Sequence, residues 1–303
     1  MTRARRSRPA NGLVSAGRRA LTRPGGVIGL VLLGSMVALA VAGPMISPGN
    51  PLAIKYPPML APSRHHLFGT DNLGRDEFRA VAHGLRTSLR IVVGTTVLSA
   101  LLGTVFGVLA GYYGGGLVDR AFLRFSEILQ TIPRIFLVIL AITLFGSGER
   151  NLIVVLAITS WVFLARVTRS EALSVRNRGY VEAAKASGSG DARVIARHVA
   201  PNVMPVAIVV IALNASGVIL VEAGLAYLGL ASSTHVTLGS LLNTAQVFLS
   251  QAWWMSVFPG AAIAITVLGI NLIGDAFGDA FRLSGTSAKW RHGTANPGTP
   301  ASS

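Results

Sequence analysis

Six apolar runs, each close to the length that crosses a bilayer, constrain this chain more than anything else in its sequence. The hydrocarbon core is roughly 30 Å thick, and a helix rising ~1.5 Å per residue needs about 20 residues to cross it. Such runs cover residues 27–46, 88–113, 128–145, 151–167, 203–220 (with an interfacial extension to 230) and 257–276. Backbone polar groups in lipid must be paired internally, so runs of this length predict helices. The expected fold class is an all-α polytopic membrane protein with six transmembrane helices. Only 13% of the 303 residues are charged, against about 25% in soluble domains.

The few charges then become informative. Six crossings put both termini on one side. The tail 1–26, the loops before 128 and over 168–202, and the tail from 282 hold most of the 27 Lys and Arg. Basic residues stay on the cytoplasmic side, so both termini and the 168–202 loop are expected there, in the cell membrane. The basic residues flank apolar runs instead of interleaving with aromatics. They therefore read as topology determinants and lipid contacts, not as a nucleic-acid surface. Residues 1–26 carry seven Arg and no acid and read as a disordered basic tail. Arg18-Arg19 before an apolar run and Ala40-Val41-Ala42 also fit a cleaved signal peptide. The length of run 27–46 favours an uncleaved first span.

Between the spans, residues 47–87 are polar and proline-rich and are expected to form an extracytoplasmic connection. Gly103, Gly107 and Gly111 have the spacing that lets two helices approach closely, or are glycines merely tolerated in a long span. Gly114-Gly115-Gly116 predicts a turn, followed by Asp119, Arg120 and Arg124 on a short cytoplasmic loop. Pro133 falls near the start of the third span, where proline costs a helix least. Trp253-Trp254 precedes the last span as an aromatic belt would. The tail 282–303 is expected to be flexible.

The segment 180–202 is the most informative polar stretch. It reads Tyr-Val-Glu-Ala-Ala-Lys-Ala-Ser-Gly, then nine residues, then His-Val-Ala-Pro-Asn. Glu182 to Ala186 is a good helix former. Gly188 and Gly190 can end that helix and turn the chain. Asp191 is placed to cap a second helix over 192–200. Two short helices of this kind make a knob that can dock in a partner's groove; an ordinary amphipathic loop is the plainer alternative.

This segment resembles the cytoplasmic EAA loop of ABC import permeases. Over residues 25–282 the chain resembles the C-type permease of dipeptide, oligopeptide and nickel importers. His66-Leu67-Phe68-Gly69-Thr70-Asp71, continuing to Gly74-Arg75-Asp76, is similar to a family segment that follows its first span. So are Gly84-Leu85-Arg86-Thr87-Ser88-Leu89, Gly111-Tyr112-Tyr113-Gly114-Gly115, Glu222-Ala223 with Tyr227-Leu228-Gly229, and Asn271-Leu272 with Gly274-Asp275. The chain departs from the family at Ala200, Gly278 and Arg282-Leu283. The resemblance implies a permease core over 88–281, with five helices preceded by the first span. It also implies that Glu182, Ala183, Ala184, Gly188, His198 and Pro201 couple the chain to two cytoplasmic P-loop ATPases. A homologous second permease and an extracytoplasmic substrate-binding protein complete the implied complex. Peptides are the implied cargo, with nickel or another small solute as the alternative.

The chain has only Lys55, Lys185 and Lys289, preceded by Ile54, Ala184 and Ala288. None makes the Gly-Lys-[Ser/Thr] of a P-loop. No cofactor is expected in this chain; ATP and Mg are expected on the ATPases. A stand-alone secondary transporter would want carboxylates inside its spans. The central turns show almost none, and Asp275 reads as an inner-interface residue, with Arg282 as its candidate partner. Asn214 and Asn271 read as inter-helix hydrogen bonders. His65-His66 lacks the further ligands of a metal site.

Overall fold

A computed structural model describes residues 17, 20–230 and 235–290, with backbone alone for 282–290. The remainder of the basic tail, residues 231–234 and the end of the C-terminal tail lie outside the described residues, as does the side chain of Arg282. Among the described residues there are helices and loops and no strand. Five helices are long and apolar enough to cross a membrane, or six crossings if one bent pair counts as one.

The first helix, α1 (Pro24–Ile46), has proline at its start and no charged side chain. It is apolar all round and lies against other helices over only part of its surface. Helix α2 (Glu77–Tyr112) has 36 residues, about 54 Å of rise. It begins eleven residues before the predicted span because Asp76 caps it, accepting from the Arg79 N–H at 2.9 Å.

Helices α3 (Leu117–Thr131) and α4 (Arg134–Phe145) are bent by 83° at their junction. The sequence predicts Asp119, Arg120 and Arg124 on a short loop and one span over 128–145. The charges instead lie on α3, and the break falls at Ile132-Pro133. Proline disfavours the helical conformation in the residue before it, and Ile132 is extended at φ −93° and ψ 126°. Twelve residues give α4 a rise of only about 18 Å. The sixth crossing therefore exists only as this bent pair.

Helix α5 (Glu149–Arg176) runs along α2. The spacing of Gly103, Gly107 and Gly111 is a close-approach seam. A Cβ at Gly103 would come within 2.9 Å of Leu164, and one at Gly111 within 2.5 Å of Ala172 Cβ. Small residues here let the two backbones meet and gain dispersion contacts along their length. Two short helices, α6 (Gly179–Ala186) and α7 (Asp191–Val194), follow. A π-helical turn, Ile195–Val199, then leads without interruption into α8 (Ala200–Tyr227). Asn214 Nδ2 donates to Ser99 Oγ at 3.2 Å, the expected inter-helix bond. Asn271 Oδ1 is buried without one.

The other end of the molecule carries α9 (Leu238–Ala245) and the start of α10 (Trp254–Trp290). The 47–76 connection folds over it. Thr70 is fully buried and its Oγ1 donates to the Pro57 carbonyl at 2.8 Å. Phe68 stacks on Phe258 at 3.9 Å. The two tryptophans divide their roles. Trp253 is half exposed as a belt residue would be, whereas Trp254 is buried and donates from Nε1 to the Thr70 carbonyl at 3.1 Å. The backbone of α10 stays helical to Trp290, through the first part of the predicted flexible tail.

Candidate functional site

The polar segment 177–200 forms a compact knob at the end of the molecule where α2 and α5 finish. Helix α6 ends because the backbone is locked there. The Gly188 N–H donates to the Lys185 carbonyl at 2.9 Å, and the Ser189 N–H to the Ala184 carbonyl at 3.1 Å. This is the Schellman pattern, which needs a left-handed residue at its centre. Gly188 supplies it at φ +78°, and a Cβ there would meet nothing within 4 Å. The constraint on Gly188 is thus conformational; the space around it is open.

An apolar face holds the knob in place. Val181, Val194 and Val199 are fully buried against Val108, Tyr112, Ala172 and Val175, with Ala184 half-buried beside them. The opposite face is exposed and carries Glu182, Ala183, Ala186, Arg193 and Arg197. The Glu182 side chain makes no ion pair or hydrogen bond among the described residues, while its backbone N–H donates to the Arg178 carbonyl at 3.3 Å. Of the predicted coupling residues, Glu182, Ala183 and Gly188 are presented outward, and Ala184 faces the anchor. His198 is half-buried, its ring 6.3 Å from that of Tyr180.

Pro201 lies at the start of α8. It has no N–H for the Arg197 carbonyl, and the chain passes through a π turn instead. In that turn the Ala200 N–H donates to the Ile195 carbonyl. Asn202 Nδ2 donates to the His198 carbonyl at 2.7 Å. The knob and α8 are therefore mechanically continuous from Asp191 to Tyr227, 37 residues in one rod.

Asp191 does not cap the second helix. The N-cap position belongs to Gly190, with no side-chain cap. The Asp191 carboxylate instead accepts from the Tyr112 hydroxyl, and from the Tyr113 hydroxyl at 3.5 Å. Lys185 Nζ sits 4.4 Å above the Tyr112 ring centroid, a cation–π distance. Below the knob, Arg169 grips Asp119 with two nitrogens, and Asp119 also accepts from the Gly115 N–H at 2.8 Å. Arg176 Nη1 donates to the Tyr112 and Gly114 carbonyls at 3.0 and 3.1 Å, closing the end of α2.

Sequence reasoning missed the Tyr112–Asp191, Arg169–Asp119 and Arg176–Tyr112 contacts, because their partners lie 50 or more residues apart. The repeated aromatic and Gly signals of 111–115 were the visible trace. It also missed how deeply Glu222 is buried. Glu222 is 1% exposed on α8, beside Ser88 and Thr237, and Glu77 is equally buried at the start of α2. Both lie toward the end of the molecule opposite the knob. His66 is not free for a metal: its Nδ1 lies 3.5 Å from Asp76 Oδ2 and its ring packs edge-on against Tyr56.

Known proteins agree with this architecture. Residues 103–283 match the family model described as binding-protein-dependent transport system inner membrane component. A putative peptide transport system permease protein of Brucella suis biovar 1 (strain 1330) is 37% identical over 88% of this chain and 90% of its own length. The dipeptide transport system permease protein DppC of Bacillus subtilis (strain 168) is 36% identical over 83% of this chain and 79% of its own. Among solved structures, an inward-facing MetNI methionine ABC transporter chain superposes with a TM-score of 0.55 at 18% identity. That match covers 66% of this chain and 95% of the other, and it speaks for the fold alone. The chain is a multi-pass membrane protein and belongs to the family of binding-protein-dependent transport system inner membrane components.

Proposed function

We propose that this chain is half of the translocation pathway of an ATP-driven importer of di- or oligopeptides. The other half is a homologous permease. Two cytoplasmic P-loop ATPases, which carry the ATP and Mg, dock on the knob at 179–199. An extracytoplasmic binding protein delivers cargo to the opposite end. Both termini are cytoplasmic. The observation that carries this reading is the two-sided knob. Its valine face is buried in the permease, while Glu182, Ala183 and Gly188 are exposed, and the Glu182 carboxylate has no side-chain partner among the described residues. Small residues allow close packing, and the charges around them orient a partner. The names of the Brucella and Bacillus relatives support peptide cargo.

ATP-driven closure of the ATPases would move the knob and, through its continuous rod, α8. Two arrangements of the spans close in energy would then alternate. The test is to purify the tagged chain from native membranes and identify its companions by mass spectrometry. A second permease and P-loop ATPases should be recovered, and lost when Glu182 and Gly188 are changed. Reconstituted with the binding protein and ATP, the complex should take up a labelled dipeptide and not nickel ion. Uptake by this chain alone, driven by an ion gradient, would contradict the proposal.

A further inference from the structure

We propose that Tyr112 and Asp191 form the latch that transmits knob movement to α2, with Tyr112 as a positioning residue for coupling. This rests on the reading of the knob as the ATPase dock. The geometry points to the pair for three reasons. Tyr112 is the last residue of α2 and only 3% exposed, yet its hydroxyl reaches across to the first residue of α7. A phenol bonded to a carboxylate is a charge-assisted contact, stronger and more directional than the valine packing around it. Lys185 covers the same ring from the other short helix, so both halves of the knob converge on one side chain.

The far side of the latch is equally committed. Arg176 holds the Tyr112 carbonyl, so the end of α2 is tied to the end of α5. The glycine seam over 103–111 binds the two helices further along. At its other end α2 begins at Glu77, beneath the outer cap formed by 47–76. A push on the knob therefore has two routes inward. One runs along the Asp191–Tyr227 rod into α8. The other crosses at Tyr112 into the paired α2 and α5. The latch makes the two routes move together.

The experiment compares the complete complex carrying Tyr112→Phe, Asp191→Ala or Tyr113→Phe, reconstituted with ATPases and binding protein. Tyr112→Phe keeps the ring, its packing and the Lys185 contact, and removes only the hydroxyl. Two quantities are read: ATPase recovered with the chain, and peptide taken up per ATP hydrolysed. Both Tyr112→Phe and Asp191→Ala should keep ATPase recovery and lose about tenfold in uptake per ATP, the scale of one charge-assisted hydrogen bond. The double variant should lose no more than either single one, since the two share one bond. Tyr113→Phe, at an exposed 3.5 Å contact, should stay within about twofold.

Unchanged uptake per ATP in both single variants overturns the latch while leaving the dock intact. Loss of ATPase recovery in both makes the contact part of building the docking surface, and also overturns it. A wild-type chain recovered without any ATPase sinks the docking reading itself, and the latch with it.

Discussion

Thr168 occupies the space that a side chain at Gly107 would need, and its hydroxyl lies 3.0 Å from the Gly103 carbonyl. A Cβ at Gly107 would also come within 2.5 Å of the Ala165 carbonyl oxygen. Backbone atoms cannot swing aside as a flexible side chain can. Gly107→Ala is therefore expected to part α2 from α5 and to cost about 1–3 kcal/mol, the range for overpacking. Gly34→Ala, where a Cβ meets nothing within 4 Å, is the matched control and should be neutral or slightly stabilising. Thermal unfolding of the purified variants in detergent distinguishes the two.

Gly188 presents the opposite case, with open space and a demanding backbone. Its left-handed φ of +78° costs an ordinary L-residue about 1–2 kcal/mol, and asparagine less. Gly188→Val should leave the protein inserted and abolish uptake, while Gly188→Asn should retain much of it. Normal uptake by the valine variant would remove the docking role. A valine variant that fails to insert would make Gly188 a helix stop and nothing more.

Asp119 is buried and held by Arg169. Removing one partner of a buried pair strands a charge, at about 3–5 kcal/mol. Arg169→Met should therefore lower the thermal midpoint strongly. Arg169→Met combined with Asp119→Ala should recover part of the loss, because no unpaired carboxylate remains. A double variant worse than the single one would show that Asp119 is stabilised by its Gly115 contact instead.

Trp254 Nε1 is the hydrogen-bond link between α10 and the buried Thr70 of the outer cap. Trp254→Phe keeps an aromatic ring and leaves the Thr70 carbonyl without this donor, a loss of about 1–3 kcal/mol. The 47–76 segment should then be cut faster by protease added from the membrane face opposite the knob. Trp253→Phe, half exposed and without that bond, should not change the rate.

The span pattern was legible because hydropathy over a window of about 20 residues reports directly on what lipid tolerates. The knob was legible for a local reason too, since a helix former followed by glycine encodes both a helix and its stop. The kink at Pro133 was readable in principle. The residue before a proline avoids the helix, yet the long apolar run through Ile128 and Phe145 masked the rule. The start of α2 was misplaced because 77–87 was read together with the polar, proline-rich stretch that begins at 47, whereas the fold buries Glu77 and Arg79 under the 47–76 connection. Asp191 had the right type and place for a cap, but its bond to Tyr112 spans 79 residues. No local pattern contains such a pairing. Glu222 was hidden likewise, since only the arrival of Thr237 and Ser88 beside it closes the site.

The chain has no cysteine, so Ser187→Cys gives a single attachment point at the exposed tip of the knob. A maleimide–benzophenone probe placed there in native membranes can be photo-activated and its products identified by mass spectrometry. Capture of a P-loop ATPase from position 187, and not from an exposed mid-span control such as Leu101→Cys, is the expected result. Capture of lipid alone from both positions would contradict docking through this segment.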